Sequence, residues 1–161
     1  MSEFHQRLEK AIQRGHRAHD ARERERAEAA LGEEELKRMH TQYRLQLSEH
    51  IEECLRQLPQ HFPGFRYETL VGDRGWGGSL NRDDMSVADG RRVNLFSRLE
   101  LGVRPFSSSH VLELTAKGTI RNKEVYNRTQ YQLLSEADID TFRELVDRWI
   151  LEYAELYAAQ R

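Results

Sequence analysis

Between Arg91 and Tyr131 the chain alternates in a way that fixes its character. Val93, Leu95, Leu99, Leu101 and Val103 fall on odd positions, the period of a strand with one face buried. Leu112, Leu114, Ala116 and Ile120 continue the pattern beyond a Pro105-Phe106-Ser107-Ser108 turn. Those residues are the expected core face of a β-meander. Ala88-Asp89-Gly90 and Ala116-Lys117-Gly118 each suggest a three-residue hairpin loop with glycine in the left-handed position. The first loop puts Met85 and Val87 on one face with Val93 and Leu95. The second sets Leu114 opposite Ile120. The four-residue turn pairs Leu101 with Leu112 and Leu99 with Leu114, leaving Val103 opposite His110. Upstream, Phe65, Tyr67, Thr69 and Val71 make a first strand.

Helical periodicity takes over on both sides of this sheet. Leu36, Met39, Tyr43, Leu47, Ile51, Cys54/Leu55 and Leu58 recur in steps of three and four, predicting a helix over 33–58 ended by Pro59. Ile139, Phe142, Leu145/Val146, Trp149, Tyr153 and Leu156/Tyr157 predict another over 136–158. Ser135 stands as its N-cap and Asp138 three residues on, in capping-box form. Residues 3–31 have helix-forming composition but little to bury. Phe4, Leu8 and Ile12 make a short stripe, and Arg14–Glu28 is nearly all charge and alanine. Leu31-Gly32 before three glutamates reads as a helix break and restart.

The expected fold is therefore α+β. An antiparallel β-meander of about five strands is covered on one face by a long N-terminal-side helix and a C-terminal helix, with a charged helical arm in front. Residues 1–32 form the arm, and 33–161 a single two-layer domain.

Composition narrows the function only a little. The 161 residues are 38% hydrophobic and 32% charged, with mean hydropathy -0.82, and much of that polarity lies in the arm. A net charge of -2 argues against general attraction to nucleic acid or anionic lipid. On the sheet's outer face Glu100 and Glu113 interrupt Arg98, Arg104, Lys117, Arg121 and Lys123, so nucleic-acid binding is not expected. No apolar run reaches a membrane span and MSEFHQRLEK lacks a signal-peptide core, so the expectation is a cytoplasmic protein without membrane association. Cys54 is the sole cysteine, which excludes an internal disulfide.

Candidate chemistry is sparse. Glycines 72, 75, 77 and 78 surround Trp76, but no P-loop lysine follows. Such a stretch marks a strand connection, a bulge, or a place where something approaches the backbone closely. The assumed register puts Asn122, Glu124, Tyr126 and Arg128 on the inward side of a last strand at 119–131, with His110 opposite Glu124. This side is either a solvent-exposed rim or a polar pocket. In a pocket, His110 and Glu124 would be an acid–base pair, Asn122 and Arg128 would bind ligand, and Trp76 would sit at the mouth. His16 and His19 lie three apart on a helix without an accompanying acid. His40, His50, His61 and Cys54 show no zinc spacing, so neither metal nor cofactor is expected. The absence of catalytic motifs leans against an enzyme. The leading expectation is a non-enzymatic binding or adaptor protein that uses residues 1–32 for self-association or a protein partner. The alternative is a small-ligand domain or enzyme with its pocket between sheet and helices.

Overall fold

In a computed structural model that describes residues 2–160, five consecutive strands pair in chain order as one antiparallel meander. They are β1 (Arg66–Leu70), β2 (Trp76–Ala88), β3 (Arg91–Val103), β4 (Val111–Ile120) and β5 (Lys123–Leu133). The helices are α1 (Glu3–Leu55), the one-turn α2 (Leu58–His61) and α3 (Ile139–Ala159). The chain divides into two compact units, residues 1–38 and 39–161. Among the described residues no helix is long and apolar enough to cross a membrane.

The first unit is helical, and its side chains from Ser2 to Ala27 are exposed. The expected break at Leu31-Gly32 does not occur, because α1 runs through Gly32 without interruption. A glycine inside a helix costs only about 1 kcal/mol relative to alanine, which strong helix formers on either side can carry. Surface pairs such as Arg7–Glu3 at 2.9 Å and Arg26–Glu23 at 3.7 Å add a few tenths of a kcal/mol each, about 0.3–0.5 for such a spacing.

The second unit holds the core. Leu47, Ile51 and Leu55 of α1 and Phe142, Val146, Trp149, Ile150, Tyr153 and Tyr157 of α3 are buried. With them are buried Leu80, Leu99, Leu101, Val103, Leu112, Leu114, Ala116 and Ile120 of the sheet. Full burial of an aliphatic side chain contributes about 1.5–3 kcal/mol, so the two helical stripes and the strand alternation together account for the layering. α1 stops at Leu55, and Pro59 lies in the first turn of α2 instead of terminating the longer helix. That position suits a residue with no N–H to donate. Asp138, not Ser135, caps α3. Its carboxylate accepts from Asp140 N at 3.1 Å and from Thr141 Oγ1 at 3.1 Å, while Leu134–Glu136 form a separate 3-10 turn.

The strand faces are as expected over most of the meander, but the turns are not. Ala88 pairs directly with Arg91, so the β2–β3 connection is a two-residue Asp89-Gly90 turn with positive φ at both positions. This is the geometry whose twist matches flanking strands. It puts Met85 opposite Asn94 and Val87 opposite Arg92, and both apolar residues point to solvent, away from Val93 and Leu95. The β3–β4 connection is longer than the four residues expected. Val103 therefore faces Leu114 and Leu101 faces Ala116, a slide that keeps the core face while changing its partners. The last turn is Arg121-Asn122, at φ 46 and 69, and not the three-residue Ala116-Lys117-Gly118 loop expected. Gly118 continues β4 opposite Tyr126, and a bulge follows between Gly118 and Thr119.

His40 is buried in this unit. Its Nε2–H donates to the Arg104 carbonyl at 3.0 Å and its ring meets Phe106 edge-on. Burial, with the positive charge of Arg44 adding to it, lowers the pKa of His40 below its ordinary 6.5. The unfolded chain therefore binds this proton more readily than the folded one. The stabilisation from neutral His40 is complete above about pH 6.5 and is lost as pH falls through the lower folded value. Denaturant midpoints should accordingly show the parent more stable than His40→Gln at pH 7.5, with the gap narrowing toward pH 5. A gap that widened on acidification would contradict the assignment.

Candidate functional site

Two helical stripes packed side by side bring their polar margins together. On α1, His50 and Cys54 are one turn apart and flank the buried Ile51 and Leu55. On α3, Asp147 lies between the buried Val146 and Ile150. Packing those apolar residues forces the three polar groups into contact. Asp147 Oδ1 is 2.8 Å from His50 Nε2 and 3.4 Å from Cys54 Sγ, and the sulfur is 3.7 Å from the same imidazole nitrogen. All three ligand atoms lie within 4.8 Å of one another.

Cys54 and Asp147 border a cleft of about 550 Å³ between α1, α2 and α3. Its wall is mainly apolar, from Leu58, Phe62, Ile150, Leu151 and Ala154, with Cys54, Asp147, Gln57 and His61 supplying the polar points. A few polar groups on an apolar wall is the general form of a small-molecule site.

The hydrogen-bond order limits what the cluster does on its own. His50 Nε2–H and the Cys54 thiol both donate to Asp147, so the imidazole proton points at the carboxylate and not at the sulfur. Burial, then the hydrogen bond to and charge of Asp147, push the Cys54 thiol up to about 12. A thiol held protonated in this way is a poor nucleophile, and the arrangement is that of a binding site more than of a cysteine–histidine catalytic pair.

The residues nominated from sequence do not gather here or with each other. His110 precedes β4, with φ 56 and its ring 5.7 Å from Phe106, whereas Glu124 pairs with Thr119 at the far end of β4. At about 3.3 Å per residue, that separation is about 30 Å. The opposition of His110 and Glu124 belonged to the wrong turn. Asn122 is a turn residue whose side chain is committed to structure. Its Oδ1 accepts from Phe96 N at 2.8 Å and its Nδ2 donates to Asn94 O at 2.9 Å. Trp76 opens β2 with the Arg44 guanidinium 4.1 Å from its ring centroid. Arg128 lines a separate cavity of about 440 Å³ with Tyr126, Glu152 and Glu155. There the Tyr126 hydroxyl donates to Glu152 at 2.5 Å, and burial followed by that carboxylate pushes the phenol up to about 12. The interior between sheet and helices is filled by Phe142, Trp149 and Tyr153.

The glycine-rich stretch also has a definite use. Side chains at 75 and 77 would run into the backbone of β3 at Val103 and Leu101, and one at Gly78 would meet the Tyr67 ring. The partner that approaches closely is the sheet itself.

The zinc-spacing argument sets His50 aside, and Asp147 is not among the residues nominated from the sequence. The His50-x3-Cys54 spacing puts two ligands on one helical face and was readable from the sequence. Asp147 comes from another helix 93 residues on and had no such signal. A scan against protein-family models and searches of curated proteins and of solved structures find no match to this chain.

Proposed function

We propose that this is a non-enzymatic binding protein that self-associates through its N-terminal helical arm. The observation that carries the reading is an apolar stripe on the arm left open to solvent. Phe4 is 71%, Leu8 45% and Ile12 52% exposed, at four-residue steps on one helix. Large apolar side chains aligned on an otherwise charged helix offer a face that a second apolar surface can cover. The following stretch, Arg14–Glu28, interleaves both charge signs, so two copies of it are complementary to each other without a net repulsion. The protonated Cys54 and the filled sheet–helix interior support binding over catalysis.

Three apolar side chains per copy make a small interface, and the expected dissociation constant is about micromolar or weaker. Light scattering should therefore be run to high protein concentration. The expected result is a concentration-dependent rise above the 19.0 kDa monomer that disappears in Leu8→Glu/Ile12→Glu. If the parent stays at monomer mass throughout, the proposal fails.

A further inference from the structure

The cluster on α1 and α3 has a use that the arm does not touch. We propose that His50, Cys54 and Asp147 form a binding site for a single zinc-class divalent cation. The donor set is one imidazole nitrogen, one sulfur and one carboxylate oxygen, the three side-chain types that zinc takes. Two of them sit one turn apart on one helix and the third comes across from another, so the ion would be held between elements already fixed by the core.

The spacing is close to what coordination requires. Metal–ligand bonds of about 2.0–2.3 Å place tetrahedral ligand atoms about 3.3–3.6 Å apart. The sulfur lies 3.7 Å from His50 Nε2 and 3.4 Å from Asp147 Oδ1. Only the 2.8 Å separation of His50 Nε2 and Asp147 Oδ1 is too short, and it must open by about 0.5 Å. That is a rotamer adjustment for a half-exposed aspartate, not a movement of backbone. On binding, the hydrogen-bonding protons on sulfur and nitrogen give way to the cation. The thiol proton leaves to solvent as the S–metal bond forms, while the imidazole proton moves to Nδ1 by exchange with water. With three protein ligands, the remaining position is left to water or to a donor atom of a molecule in the apolar cleft, which Cys54 and Asp147 both line. An open fourth position of this kind would make the ion the polar anchor for a ligand whose body lies against Leu58, Phe62 and Leu151.

The competing account is a polar latch between helices that never takes a metal. Cobalt(II) distinguishes the two, since it reports both sulfur ligation and coordination number by absorption. The chelator-treated full chain is titrated with cobalt(II), then with zinc(II) as competitor. The expected result is one cobalt per chain, with a thiolate-to-cobalt charge-transfer band and visible bands of four-coordinate intensity, all lost on adding zinc. Cys54→Ser should abolish the charge-transfer band, and Asp147→Asn should weaken binding at least about tenfold. Circular dichroism and denaturant midpoints of the metal-free variants verify that both near-isosteric changes leave the fold in place. Absence of the charge-transfer band in the parent overturns the proposal. So does cobalt binding that is unchanged in Cys54→Ser, which would put the ion elsewhere, such as on His16 and His19 of the arm.

Discussion

Gly77→Ala is expected to destabilise the protein by about 3 kcal/mol or more, although it adds a single methyl group. Gly77 pairs with Gly102, with the β3 backbone directly beside its missing side chain. The added Cβ would overlap the Leu101 carbonyl oxygen and stand 2.7 Å from Gly102 Cα. Both are backbone atoms of the neighbouring strand, so no rotamer change relieves the contact. The two strands must separate locally, weakening hydrogen bonds that hold the centre of the sheet while Leu99, Leu101 and Val103 lose their packing. Gly90→Ala is the informative contrast. Its Cβ meets nothing, and only the φ of 75° is unfavourable, a cost of about 1 kcal/mol. Urea midpoints for the two variants should differ well beyond error. Equal, small losses would mean that the strands yield easily and that the close approach is not a constraint.

That contrast also explains which parts of the fold could be read from the sequence. The apolar stripes of α1 and α3 and the alternation in β3 and β4 report burial directly, so layers, strand order and nearly all of the core were legible. Turns were not, because glycine serves two purposes that look alike in one dimension. At Gly90 it supplies positive φ in a hairpin; at Gly77 and Gly118 it makes space for a neighbour distant in sequence. Reading Gly118 as a turn hid the true turn at Arg121-Asn122, where asparagine accepts the left-handed conformation and its side chain secures it to β3. Met85 and Val87 misled for a related reason. Isolated apolar residues on a surface are ordinary, and placing these two on one face with Val93 and Leu95 requires a loop one residue longer than the true one.

The candidate site was legible by half. Cys54 and His50 share a helical face, a local relation that spacing reveals, but pairing them with Asp147 requires the angle and offset at which α1 and α3 pack. Those depend on how the buried side chains of the two helices pack, a three-dimensional property with no counterpart in periodicity. The polar inward side of β5 is a different case. Of the four residues expected there, Asn122 lies in the turn, the bulge puts Glu124 opposite Thr119, Tyr126 alone is buried, and Glu124 and Arg128 are exposed.

Tyr153 and Gly118 should behave as one unit, and this coupling is the second large effect expected. The Tyr153 ring lies on Gly118, so that a Cβ there would be 2.8 Å from its Cδ2, and the phenol donates to the Thr119 carbonyl at 2.8 Å where the β4–β5 register shifts. Burial pushes the phenol pKa well up, so it remains a donor across the accessible pH range. Tyr153→Ala should cost about 4 kcal/mol, since the side chain is fully buried and leaves a large cavity. Tyr153→Phe keeps the ring and loses the hydrogen bond, at about 1–2 kcal/mol. Gly118→Ala overpacks the same spot and should cost about 1–3 kcal/mol. In the double variant Gly118→Ala/Tyr153→Ala, however, the new methyl enters the space that the ring vacated, and the clash with the ring is gone. The combined loss should therefore fall short of the sum of the single losses by about 1 kcal/mol or more, as contacting residues in a shared cavity do. Additive losses would show that the ring moves aside for the methyl. In that case glycine at position 118 would be serving the bulge itself, through the 3.0 Å approach of Tyr126 Cβ, and not the seating of α3 on the sheet.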